Sequence, residues 1–135
     1  MDNLRERILA CHACALRQGC RRPVPGEGPL NARVMFVGEG PGEVEDRDGI
    51  PFVGPSGKLL RALIAQAGLD DTQMFFTNVV KCRPPNNRDP LVGEIRTCLP
   101  FLNEQIALVN PKVIVAVGRY AMLQFMPDGL ITRMH

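Results

Sequence analysis

Apolar positions along the chain fall into runs of two periods. Arg33 to Val37 (RVMFV), Met74 to Val80 (MFFTNVV) and Val113 to Val117 are nearly continuous apolar stretches of strand length. They are bounded by Gly38, by the Pro84-Pro85-Asn86-Asn87 breaker and by Gly118, so each reads as a buried strand. Between them the period is helical. Residues 2–9 carry Leu4, Ile8 and Leu9 and predict a short helix. Ser56 is expected to cap a helix running to Leu69, with Leu59, Leu60, Leu63, Ile64 and Ala67 on one face and Gly68 closing it. A helix from Leu91 to Val109 carries Ile95, Cys98, Leu99, Leu102, Ile106 and Leu108, with Pro100 expected to distort it. Residues 120–125 start another. Residues 15–32 and 38–55 are rich in proline and glycine and read as loops, the second long enough to be functional. Strands alternating with helices predict an α/β fold: a three-layer α/β/α sandwich on a central parallel sheet, as one domain over residues 1–135. Ligands bind such sheets at the carboxyl ends of the strands. That puts the Gly38–Gly42 loop, Asn78 and Gly118 on one rim.

Composition narrows the class. No apolar run approaches the ~20 residues a membrane helix needs. No apolar N-terminal segment follows a basic start, so no secretion signal is expected and a reducing cytoplasm is. The net charge of +2 excludes nothing, but its distribution is uneven. Residues 1–33 hold 6 basic and 3 acidic groups, and residues 79–96 hold 4 and 2. Between them, residues 34–57 hold 1 basic group and 5 acids, all lying from Glu39 to Asp48. Charge alone is compatible with solvated loops, or with an acidic site flanked by phosphate-binding surface.

The 5 cysteines sharpen this. Cys11 and Cys14 form a C-x-x-C, Cys20 follows, and Cys82 and Cys98 come much later. The C-x-x-C follows a short amphipathic stretch and no strand, which argues against a thioredoxin-like redox pair. Four thiolates from two distant segments suit a tetrahedral zinc or an iron–sulfur cluster, although the spacing is that of neither a zinc ribbon nor a ferredoxin. Cys20 makes the count odd and is read as a free thiol nearby.

Two glycine-rich loops fail as phosphate cradles. In Gly38-Glu-Gly-Pro-Gly42 the third glycine of a dinucleotide fingerprint would fall at Glu43, and Pro41 is expected to break the helix start. Gly54-Pro-Ser-Gly57-Lys58 is too short between its glycines for a Walker A loop. Yet Glu39, Glu43, Glu45 and Asp46 crowd a strand end. Phe52 is an aromatic in a polar loop, suited to burial or to stacking on a base. Asn78 is a turn former, or an amide able both to donate to and accept from a nucleobase edge.

The blocks GEGPGEVEDRDGIPFVGPSGKLL (38–60), TNVVKCRPPNNRDP (77–90) and ExxxCLPFLxxQ (94–105) closely resemble the iron–sulfur uracil-DNA glycosylases of bacteria and archaea, often called family 4. The likeness runs from Leu4 to Arg133, with the blocks in order. The related class that cross-links to uracil-DNA carries a basic, His-containing insertion after the second strand, and nothing similar is present here.

The resemblance implies a DNA-repair enzyme that hydrolyses the N-glycosidic bond of uracil in DNA, acting as a monomer with no membrane association. It implies a [4Fe–4S] cluster on Cys11, Cys14, Cys82 and Cys98, with zinc as the alternative and Cys20 outside the ligand set. It implies catalytic roles for Glu39 and Glu45, and uracil contacts from Glu39, Gly40, Gly42, Phe52 and Asn78. Arg83 and Arg88 would contact phosphates. The family continues with a further strand and a His-Pro-Ser/Ala motif, whereas this sequence stops at His135, which does not precede Pro-Ser/Ala. A chain lacking that strand is expected to leave the edge of Val113 to Val117 unpaired and to excise uracil slowly or not at all. A binding module that recognises DNA or uracil without cleaving is the alternative.

Overall fold

A computed structural model describes residues 2–125. Three strands, β1 (Val34–Gly38), β2 (Phe75–Asn78) and β3 (Val113–Ala116), form a wholly parallel sheet in the order β2-β1-β3. Around it run α1 (Asp2–Leu9), α2 (Leu16–Gly19), α3 (Glu43–Asp48), α4 (Pro55–Gln66), α5 (Val92–Val109) and α6 (Arg119–Leu123). The period of two along the strands sorts side chains into two cores. Met35, Val37 and Phe75 pack with Ile95, Cys98, Leu102 and Val109 of α5. Phe36 and Phe76 face the other way and pack with Ile64 of α4 and half-buried Leu60 and Phe52. This is the three-layer arrangement expected. The chain leaves central β1 for β2 on one side and then crosses to β3 on the other, so a crevice opens at the strands' carboxyl ends.

Several local expectations change. Residues 15–32 contain α2, a single turn that buries Leu16. Residues 38–55 are not loop throughout: α3 starts directly after Gly42 despite Pro41. Proline precedes the cap here and interrupts no helical hydrogen bond, while Glu45 reaches back to the Gly42 N–H at 3.1 Å and Gly49 closes the turn at φ 76°. α4 begins at Pro55 with Gly54 as its cap, not at Ser56, and ends at Gln66. Its inner stripe is Gly57, Leu60, Arg61 and Ile64, so Leu59 and Leu63 stand 63% and 52% exposed. An apolar count overlooks this stripe because a glycine and an arginine occupy half of it. α5 runs unbroken through Pro100.

β3 is less buried than its apolar run alone suggests, in line with the expected unpaired edge. Val113 is 52% exposed and Val115 36%, because among the described strands β3 is flanked only by β1. The expected closing loop and His135 lie outside the described residues. No helix among the described residues is long and apolar enough to cross a membrane.

The start of α5 is fixed by Glu94. Its carboxylate accepts from the Leu91 N–H at 2.8 Å and from both Nη atoms of Arg88 at 2.9 and 2.8 Å. The Arg88 hydrogen bonds hold the Glu94 carboxyl below its usual range against the opposing effect of burial. A lowered folded-state pKa stabilises above the unfolded pKa and is lost as pH falls through the folded one. Glu94→Gln should therefore destabilise the protein by about 1 kcal/mol at neutral pH. Urea titrations at a series of pH values should show that difference shrinking as pH falls below the ordinary carboxylate range, where the wild-type carboxylate takes up its proton.

Candidate active site

The carboxyl ends of the strands frame a cleft of about 660 Å³. Its lining draws Glu39, Gly40 and Gly42 from the loop after β1, Phe52 from the segment before α4, Asn78 from the end of β2 and Gly118 from the turn after β3. The structure thus brings together all five residues expected to meet a base.

Register explains the centre of the cleft. Gly38 pairs with Asn78 across β1 and β2, and both face the α4 side. A Cβ on Gly38 would fall 2.5 Å from Asn78 Oδ1 and 2.9 Å from Phe52 Cζ. The glycine therefore makes the space that the amide and the ring occupy. Asn78 is 4% exposed, yet among the described residues no hydrogen bond takes its side-chain amide. Its backbone carbonyl is held by the Lys81 ammonium, which also donates to Thr77 Oγ1 at 2.8 Å. Thr77 in turn donates to Gln105 Oε1 at 2.8 Å. A nearly buried amide is normally satisfied, so this one is preset for a ligand that both donates and accepts.

Phe52 sits at φ 57°, a left-handed backbone that a bulky aromatic adopts at a cost of about 1–3 kcal/mol. Its ring lies 5.5 Å from that of Phe76, tilted by 53°, and Phe76 stacks on Phe36 at 5.2 Å. The backbone of Phe52 packs directly on Gly57, where a Cβ would come 2.5 Å from Phe52 Cα.

The acidic segment turns out to be largely scaffold. Glu45 was given a catalytic role by resemblance, but both of its oxygens are engaged: Oε1 by Gly42 N–H, and Oε2 by the N–H groups of Val53 at 3.0 Å and Gly54 at 2.7 Å. It is a positioning residue that ties the Gly42 turn to the Phe52 loop. Asp46 is buried and accepts from Arg21 N–H at 2.9 Å, and Asp48 pairs with Arg47. Glu39 accepts from Tyr120 N–H through Oε2 at 2.7 Å, at the start of α6. Its other oxygen has no hydrogen-bond partner among the described residues. Gly40 lies against Val80, whose Cγ2 would be 2.8 Å from an added Cβ.

The basic residues also divide. Arg88 is paired with Glu94, whereas Arg83 donates only through Nε, to Asn87 Oδ1 at 2.8 Å. Asn87, at φ 56°, lines the cleft and was not foreseen. Its breaker position in the sequence signalled a turn and nothing about where the turn would point.

A second, smaller cavity lies between α1, α5 and the segment after β2. Cys11, Cys14, Cys82 and Cys98 all line it. Cys20 does not, although it is buried; its thiol donates to the Arg17 carbonyl at 3.8 Å. Burial raises the Cys82 thiol strongly, with Cys20 adding to the effect. Burial also raises Cys98, opposed by the nearby Lys81 charge and by the Lys81 N–H, which donates to Cys98 Sγ at 3.2 Å. Lys81 is fully buried and pulled down to about 8 by that burial, with Cys98 acting in the opposite sense. Among the described residues no three His, Cys, Asp or Glu side chains are spaced to hold a metal ion as they stand. The cavity is a candidate by its donor set and by one further feature. Arg17 lines it, and Arg17 Nε is buried with no hydrogen-bond partner. An anionic sulfur-rich group there would accept from that nitrogen, so the residues fit such a group.

Comparison with known proteins agrees with the cleft. Residues 25–134 match the family model described as the uracil DNA glycosylase superfamily. The chain is 51% identical over 122 residues to a type-4 uracil-DNA glycosylase of Sulfurisphaera tokodaii, covering 90% of this chain and 56% of the relative. To that of Thermotoga maritima it is 49% identical over 129 residues, covering 96% and 67%. To that of Saccharolobus solfataricus it is 48% identical over 125 residues, covering 90% and 58%. The chain thus spans a little over half to two thirds of the length of these relatives. By family model and by identity alike, it belongs to the uracil DNA glycosylase superfamily, among its type-4 members.

Proposed function

We propose that the cleft binds a uracil rotated out of a DNA strand and that the chain hydrolyses the bond joining it to deoxyribose. The observation that carries this reading is the Asn78 amide, which reaches the cleft beside an aromatic ring and makes no hydrogen bond among the described residues. Uracil presents an acceptor at O4 and a donor at N3, which one amide can satisfy at the same time. Cytosine presents the reverse pair, which the same amide matches only when turned over, so discrimination depends on the amide being held in one orientation when the base is bound. Phe52 supplies the stacking face.

The chemistry separates an oxocarbenium-like sugar from an anionic base. The free oxygen of Glu39 stands at the cleft wall to stabilise the cation or orient the attacking water. Tyr120 N–H holds the other oxygen and keeps the carboxylate aimed. N–H donors of the surrounding turns suit the anion. The first turn of α4, where Ser56 and Gly57 line the cleft, carries no side-chain cap. Arg83, whose Nη groups have no partner among the described residues, faces the solvent side for phosphate contact.

Cys11, Cys14, Cys82 and Cys98 are assigned a [4Fe–4S] cluster. When bound, it supplies a rigid four-point cross-link between the N-terminal segment and α5. Arg17 Nε and the Lys81 N–H are the chain's own donors toward it, and the buried Lys81 ammonium, with no carboxylate hydrogen-bonded to it, balances thiolate charge.

Strand scission after alkali, with an oligonucleotide holding one uracil, tests the activity. Scission with uracil and none with a cytosine control is expected; binding of uracil-DNA without scission would leave a recognition module instead. Asn78→Asp should weaken uracil-over-cytosine discrimination, because a carboxylate has no N–H to offer O4. Phe52→Ala should weaken uracil binding by about 1–3 kcal/mol. Purified protein should be brown with about four irons per chain. A colourless protein with one stoichiometric zinc would replace the iron but keep the ligands. Cys20→Ser should leave metal content unchanged, and loss of metal would put Cys20 among the ligands.

A further inference from the structure

Arg61 is inside neither cavity, and no motif singled it out. It projects from the second turn of α4 back toward the segment that precedes the helix. Nε donates to the Phe52 carbonyl at 2.8 Å, Nη2 to the Pro51 carbonyl at 3.0 Å and Nη1 to Asp71 Oδ2 at 3.0 Å. Its guanidinium carbon also lies 4.1 Å from the centroid of the Phe76 ring. All three nitrogens and one planar face are therefore in use, and its side chain is only 24% exposed.

Two of those bonds end on the carbonyls of the peptides on either side of the Phe52 Cα. Phe52 is held at φ 57°, where a free chain would not leave an aromatic residue. Gly57 removes the steric obstacle to this conformation but holds nothing in place. The groups that do hold it are the Glu45 carboxylate, on Val53 and Gly54, and the Arg61 fork, on Pro51 and Phe52. The same guanidinium covers Phe76, against which the Phe52 ring leans. Arg61 thus bears on both the backbone of Phe52 and the ring it leans against, and is itself pinned by Asp71 just before β2.

We infer that Arg61 is a positioning residue for base recognition: it fixes the angle and depth at which Phe52 meets the flipped base. This rests on the proposed stacking of uracil on Phe52. Lysine cannot replace it, because a single ammonium neither spans two adjacent carbonyls and a carboxylate nor lies flat on a ring.

The test is equilibrium binding by fluorescence anisotropy of a single-stranded oligonucleotide with one central uracil, against the same oligonucleotide with thymine. The preference for uracil is the quantity read, since phosphate contacts contribute equally to both strands. Phe52→Ala should reduce that preference about 5- to 100-fold. Arg61→Lys should reduce it about 10-fold, the size expected of a small displacement of a recognition group, while binding of the thymine strand stays within about 2-fold. In the Phe52→Ala background, Arg61→Lys should change the preference by less than about 2-fold, because the two act as one unit. A residue with only a structural role would instead weaken both strands equally and add to Phe52→Ala. Equal loss on both strands, additivity, or an unchanged preference in Arg61→Lys would overturn the inference while leaving the stacking reading in place. An unchanged preference in Phe52→Ala, or none in the wild type, would overturn the stacking reading and the inference with it. If Arg61→Lys fails to fold, Asp71→Asn keeps the arginine but releases its Nη1 anchor; a smaller selective loss supports the inference and an unchanged preference overturns it.

Discussion

Four backbone pairs between β1 and β2, from Met35–Phe75 to Gly38–Asn78, decide where everything else in the cleft can be. Parallel pairing with a side-chain period of two puts Phe36, Phe76, Gly38 and Asn78 on the same face, and Met35, Val37, Phe75 and Thr77 on the other. A slip of one residue would turn Asn78 toward α5 and present Thr77 to the cleft. The register is itself protected by burial. Phe76 is 2% exposed and Val37 is wholly buried, so neither face tolerates the exchange. The placement of Asn78 in the cleft is thus inherited from the hydrophobic sorting of the sheet.

On this frame, charged groups act mostly as struts. Glu45, Asp46 and Glu94 each accept from backbone N–H groups remote in sequence or at helix starts, and Arg61 and Lys81 each donate to backbone carbonyls. Buried charges held this way cannot be removed singly without leaving an unsatisfied partner. Lys81 shows the consequence most clearly. Its N–H contacts Cys98 while its ammonium holds the carbonyl of Asn78, so the cysteine cavity and the base-reading amide share one residue. Any group that fixes the cysteines also fixes the end of β2.

The alternation of apolar runs was enough to read the order of strands and helices, because burial on both faces leaves an uninterrupted apolar signature. The rim also followed, since strand carboxyl ends are set by topology alone. What stayed illegible depends on side chains that act against their usual type. α4 docks through Gly57 and Arg61, so its apolar residues predict the wrong face. α3 begins after Pro41 because a carboxylate three residues beyond its cap completes the turn, a contact that proline and glycine content conceals. Val113 and Val115 have strand composition, but composition carries no information on how many neighbours a strand has. Glu45 and Glu39 have the same chemistry in sequence and are separated only by what donates to them.

That separation shows how the site divides its work. A carboxylate whose two oxygens take three N–H groups has little capacity left for a substrate, but it sets the spacing of two loops. A carboxylate with one oxygen held and the other free is oriented and still available. The same contrast distinguishes Asn78 from Gln105, both amides and both almost fully buried: Gln105 is bound to Thr77 and to the Pro25 carbonyl, whereas no protein group takes the Asn78 amide among the described residues. Asn78 lines the cleft and Gln105 supports it from behind; Glu39 and Glu45 both line it, and only Glu39 keeps an oxygen without a partner among the described residues. Unmet hydrogen-bonding capacity at Asn78 and Glu39, conserved by a scaffold in which comparable groups are met, is the physical form that a preorganised site takes before its substrate arrives.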